Sequence, residues 1–280
     1  MSWPQRTWPR RAGSAPAARK PRALHGGRVS RRLMFLVCQY TSLPKDTASL
    51  HRQVQNALSK AVETKTRSPA LYEVSFPAVR DTTAALSRIL DANTSHAREI
   101  IKPFAASFRK RLHLVFPDVA EAKIAEKIYG SSQHTFTLSA LPLYERPAFL
   151  QQVEAPALVF VVQPGFNIDE WLQLERPALL YPDASIVVLN GNMDRLRSNY
   201  YPPLFYPRLT ALRKRYLEQF EPIYYLKPLP NGLLFRVFPE PWQTFFCASP
   251  GEATRIAVDD ERPTFPQTTQ RLMELSREQR

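Results

Sequence analysis

The sequence predicts an α/β fold, a three-layer, mainly parallel, Rossmann-like sheet with a C-terminal antiparallel hairpin. Three observations predict it. ALVFVV at 157–162 and ASIVVLN at 184–190 are nearly continuous apolar, β-branched runs, as strands covered on both faces must be. Helical repeats alternate with strand-like runs along most of the chain. Asn231-Gly232 sits between two apolar runs, the pair that a tight hairpin turn prefers because both residues accept positive φ.

The elements follow in order. Pro44 and Asp46 open a helix in which Leu50, Val54, Ala57, Leu58 and Ala61 recur at helical spacing. ALYEVSFP at 70–77 is a short strand closed by Pro77. Residues 80–92 and 95–110 read as two helices, with Pro103 kinking or resetting the second. RLHLVFPD at 111–118 is strand-like, and VAEAKIAEKIYG at 119–130 is a helix stopped by Gly130. HTFTLSAL at 134–141 alternates as a strand, and RPAFLQQVEA at 146–155 is a short helix. The buried strand at 157–164 leads to a helix at 167–174, and 184–192 forms the second buried strand. FYPRLTALRKRYLEQF at 205–220 is an amphipathic helix with Leu209, Leu212, Tyr216 and Phe220 on one face. PIYYLKPLP, NGLLFRVFP and PWQTFFCA form the last group of strands. One domain is expected over 43–250, followed by a polar tail with a short helix near 267–278.

Charge is distributed unevenly. Residues 1–40 hold nine basic residues and no acid, the first acid being Asp46. Removing those nine from the formal +13 leaves +4, so the body is nearly balanced and nucleic-acid binding is not expected. The front is basic, rich in Ala, Pro, Gly and Ser, and lacks a long apolar core. That composition reads as an organellar transit peptide, with a basic arm retained on the protein as the alternative. The two cysteines, Cys38 and Cys247, give no disulfide framework.

Dinucleotide, P-loop, nucleophile-elbow and zinc motifs are absent from the sequence, so no catalytic residue, metal or cofactor is expected. Ligands of such sheets sit outside the carboxyl ends of the strands. The loops there are Pro117-Asp118, 163–167 and 190–194, expected to converge on one edge. Asp118, Asn167, Asn190 and Asn192 are their candidate ligand-binding residues. Asp118 more simply caps the next helix, and Asn190-Gly191-Asn192 more simply makes a turn. His113, inside a strand, reads as a hydrogen-bonded structural histidine. Arg208, Arg213, Lys214 and Arg215 form a basic helix face, a candidate contact for lipid, phosphate or an acidic protein, or else a solvated surface.

The later part of the chain then carries a resemblance. Tyr224-Tyr225-Leu226, Gly232 before an apolar run, Arg236 and Pro239-Glu240-Pro241-Trp242 are its signature. Leu43-Pro44, LYEVSFP and LVFPD at 114–118 fit in front. Over residues 43–248 the sequence resembles a plastid and cyanobacterial domain-of-unknown-function family. That family includes the chloroplast Low Photosystem II Accumulation protein and a domain fused to a chloroplast adenylate kinase. The resemblance implies a non-catalytic protein of the chloroplast stroma or thylakoid surface. Its implied partners are proteins, photosystem II assembly intermediates among them. The adenylate-kinase fusion implies the alternative, a nucleotide or phosphorylated small-molecule binding domain.

Overall fold

Six apolar runs pair in parallel, each satisfying the backbone groups of its neighbours where helices exclude water from both faces. They are β1 (Ala70–Ser75), β2 (Leu112–Phe116), β3 (Thr137–Ala140), β4 (Leu158–Val162), β5 (Ser185–Leu189) and β6 (Glu221–Leu229). Their order across the sheet is β3-β2-β4-β5-β1-β6. Antiparallel β7 (Gly232–Val237), β8 (Trp242–Ser249) and β9 (Glu252–Asp259) continue it beyond β6. The structure is a computed structural model and describes residues 40–278 apart from Arg80, Thr82, 131–133, Asn199 and Pro250. The expected leader lies outside the described residues except for Tyr40.

Alternation along each strand divides the core in two. Tyr72, Val74, Leu114, Phe160 and Val187 face α1 (Thr47–Glu63), α2 (Leu86–Phe108) and α3 (Val119–Tyr129). Leu71, Val115, Val161, Ile186 and Val188 face the other layer. That layer is α4 (Pro147–Gln152), α5 (Ile168–Gln173), α6 (Glu175–Leu180), α7 (Asp194–Arg197) and α8 (Pro207–Arg215). The three layers and the antiparallel end match the expectation. Asn231 occupies the hairpin turn between β6 and β7 at φ +61°.

The sequence reading does not include α6 or α7, and its helix at 205–220 is α8 with a separate 3-10 turn at Leu217–Gln219. Two further differences concern α2 and the end of the chain. The expected pair of helices over 80–110 is the single helix α2, with Pro103 inside it. A proline strands the carbonyl four residues back, here that of Glu99. Gln55 of α1 donates its Nε2 to that carbonyl at 2.9 Å, so the helix continues. Beyond residue 250 the chain is not only a polar tail. β9 pairs with β8, and α9 (Phe265–Glu278) buries Thr268 and Leu272. β9 escapes pattern reading because an exposed edge strand carries Glu252, Thr254 and Arg255 where a buried strand would carry apolar residues.

Candidate functional site

β1 leads into α2 on one face, while its neighbour β5 leads into α7 on the other. The chain therefore parts at the carboxyl ends of these two strands, the switch point where such sheets leave a crevice. A cavity of about 580 Å³ lies there. β1 and the turn after it contribute Ser75, Phe76 and Val79, and α2 contributes Ile89 and Asn93. Gln163 comes from the end of β4, Asn190 and Asn192 from the end of β5, and Leu226 and Lys227 from β6. A second cavity of about 240 Å³ shares Ile89, Gln163, Asn190 and Asn192 and adds Phe166 and Arg195.

Three of these residues hold left-handed backbone, Gln163 at φ +47°, Asn190 at +50° and Asn192 at +56°. Asparagine tolerates that region, glutamine less readily. Ladder bonds impose it. The N–H of Asn190 donates to Val74 O at 2.8 Å, and that of Gln163 to Leu189 O at 2.7 Å.

The side chains form a relay. The backbone N–H of Phe76 donates to Asn190 Oδ1 at 2.8 Å. Asn190 Nδ2 donates to Asn93 Oδ1 at 2.6 Å. Asn93 Nδ2 donates in turn to Gln163 Oε1. Because the first donor is a backbone N–H, each amide has only one consistent orientation. The relay must end in an NH₂ group, Gln163 Nε2. Among the described residues neither that group nor the Asn192 side chain has a protein hydrogen-bond partner. With Lys227 and Arg195 alongside, the crevice presents donors and positive charge. The described residues that line it include no carboxylate, histidine or thiol.

The expected site residues divide. Asn190 and Asn192 line the crevice. Asp118 Oδ1 accepts from Glu121 N at 2.9 Å and caps α3, outside both cavities. Asn167 caps α5, accepting from Glu170 N at 3.0 Å and donating to Glu170 Oε1 at 2.7 Å. Glu170 in turn accepts from Gly165 N at 2.7 Å and shapes the loop after β4. Of the basic helix, Arg215 is doubly bonded to Glu175 and Arg213 pairs with Glu218, while Arg208 and Lys214 are exposed.

Asn93, Gln163, Arg195 and Lys227 were not among the candidates. Asn93 had a signal, since it sits in phase with Ala97, Ile100, Ile101 and Phe104, the apolar face of α2. A polar residue on a buried face needs partners, and Asn93, 1% exposed, finds them in the crevice.

Behind the crevice lies a charged cluster. Arg197 donates to Glu73 at 2.6 Å, and the Glu73 side chain is 2% exposed. Asp194 accepts from Arg262 at 2.6 Å and Tyr225 Oη at 2.7 Å, with Lys227 at 3.6 Å. Burial alone would raise the Asp194 pKa, but Arg262, Tyr225 and Lys227 together hold it below the usual carboxylate range. Lys227 thus joins cluster and crevice.

The residues of the familiar signature are structural pins. Glu240 accepts from the backbone N–H of Thr41 at 2.8 Å, and Arg236 pairs with Glu221 at 3.2 Å and lies over the Trp242 ring. Trp242 is buried, 2% exposed, as a packing residue should be. A family model, a domain of unknown function (DUF1995), matches residues 44–270. The chain belongs to the DUF1995 family. Among curated proteins none matches it. The DUF1995 match begins just before α1 and ends inside α9, so it takes in the crevice, the charged cluster and β9.

Proposed function

We propose that this DUF1995 domain is a non-catalytic binding module that takes a nucleotide or a phosphorylated small molecule in the strand-end crevice. The observation that carries the reading is the amide relay from Phe76 N, ending in an unpartnered donor at Gln163 beside Lys227 and Arg195. Fixed N–H donors and cations suit phosphate oxygens. Val79, Ile89, Phe76 and Leu226 offer apolar walls for a ring. Among the described residues the lining has no carboxylate, histidine or thiol, and its one lysine, Lys227, is in ion-pair reach of Asp194, which supports binding over acid–base chemistry. Thermal-shift screening against nucleotides and sugar phosphates tests it. A bound ligand at a hundredfold excess over its Kd adds about 2.7 kcal/mol of stability. A flat response across both classes would sink the reading.

On the resemblance and the acid-free basic front, we propose further that the protein works in the chloroplast stroma, at the thylakoid surface, assisting the accumulation of photosystem II. The composition of residues 1–40 supports import, and membership of a family without assigned function leaves room for this role. The native N-terminus should map near residues 34–45, and a null strain should lose photosystem II. A full-length chain in the cytosol, or wild-type photosystem II in the null strain, would contradict it.

A further inference from the structure

The segment between α7 and α8 keeps large apolar side chains in water. Tyr200 is 63% exposed, Leu204 84% and Phe205 73%. Soluble proteins scatter such residues singly, and a cluster of them marks a contact surface. The loop is built to hold them there. The N–H groups of Phe205 and Tyr206 donate to Pro202 O at 3.1 and 3.2 Å. Tyr201 and Tyr206 meet edge to face, centroids 5.3 Å apart, and pack onto the core of that layer. These two tyrosines root the loop, Pro202 and Pro203 stiffen it, and Leu204 and Phe205 form its tip.

Its surroundings are positive. From Arg195 to Leu217 the sequence has six basic residues and no acid. Arg197 and Arg215 are paired with carboxylates from elsewhere in the fold, and Arg213 with Glu218, the residue just after this run. Among the described residues no carboxylate lies within ion-pair distance of Arg195, Arg208 or Lys214, all exposed. Arg195 lies 5.6 Å over the Tyr200 ring, beside the tip.

We propose that this loop docks the domain on an anionic lipid surface. Leu204 and Phe205 enter the headgroup–acyl boundary, Tyr200 sits at its polar edge, and Arg195, Arg208 and Lys214 meet the headgroup charges. Charge points to lipid: the apolar tip stands in a run with six basic residues and no acid from Arg195 to Leu217, as an anionic headgroup layer favours. Among the described residues no helix is long and apolar enough to cross a membrane, so the loop supplies surface attachment. The inference rests on the thylakoid-surface reading above and shares Arg195 with the crevice, but it does not depend on a ligand there.

Co-sedimentation of the full chain with phosphatidylglycerol-containing vesicles tests it. Wild-type protein should bind these, bind phosphatidylcholine vesicles weakly, and release at high salt. Leu204→Asp/Phe205→Asp should partition at least about tenfold more weakly. The substituted side chains are exposed, so melting temperature should not change and folding is not at issue. Arg208→Glu/Lys214→Glu should weaken binding to anionic vesicles alone. No binding to anionic vesicles would overturn the proposal. So would binding that ignores the Leu204/Phe205 change, since the basic front would then be responsible. A wild-type dimer that the same change converts to monomer, without lipid binding, would assign the tip to a second copy instead and also overturn it.

Discussion

Replacing Arg197 with methionine is expected to destabilise the fold by about 3–5 kcal/mol, the usual cost of leaving a buried charge without its partner. Glu73 lies on β1, between β5 and β6, with its side chain 2% exposed. Among the described residues its carboxylate has one cation in ion-pair reach, Arg197 at 2.6 Å. Without the guanidinium, the Glu73 carboxylate is left uncompensated in an apolar layer. The double variant Glu73→Leu/Arg197→Met should recover most of the loss, because an apolar pair of similar volume replaces a desolvated ion pair at little cost. Urea unfolding of wild type, both single variants and the double variant gives the coupling energy directly. A single-variant loss below about 1 kcal/mol would mean that water reaches Glu73.

Acid should destabilise the protein through His113. The ring is 0% exposed, donates Nε2–H to Glu154 O at 2.9 Å and accepts at Nδ1 from Tyr144 Oη at 2.7 Å. A carbonyl can only accept, so this tautomer is fixed. Burial pushes the pKa from 6.5 down to about 4, only partly opposed by the bond to Glu154. The folded state therefore resists a proton that the unfolded chain takes readily. The contribution is fully present above pH 6.5 and is lost as pH falls toward 4. The gap corresponds to about 3 kcal/mol. Carboxylates such as Asp194 add their own acid loss, so the test is a difference. Urea unfolding of wild type and of His113→Phe/Tyr144→Phe should diverge in pH dependence below 6.5, the variant being flatter. Parallel curves would exclude His113 as the source.

The parallel core was legible because burial on both faces writes itself into β4 and β5 as unbroken apolar runs. The hairpin at Asn231-Gly232 was legible for an equally local reason. Features that depend on distant partners were not. Pro103 looks like a helix break until Gln55, from another helix, satisfies Glu99 O. The polar stretch around Asn93 looks like a gap between helices until the strand ends that bond Asn93 are known. Asn190 and Asn192 could be placed at a strand end from sequence. Asp118 and Asn167 could be too, but a cap and a ligand contact use the same residue types at the same position. Only the fold separates them. The exposed tip at Leu204 and Phe205 reads as ordinary apolar sequence, because exposure leaves no mark on residue identity.

The crevice is most directly tested at the last group of the relay. Gln163→Glu changes that side chain's terminal NH₂ to a carboxylate oxygen and little else. Isothermal titration of whichever nucleotide or sugar phosphate gives the largest thermal shift should show roughly hundredfold weaker binding to the variant, since a donor facing phosphate becomes a charge repelling it. Equal affinity in the two proteins would mean that Gln163 does not face the ligand and that the strand-end crevice is not the binding site.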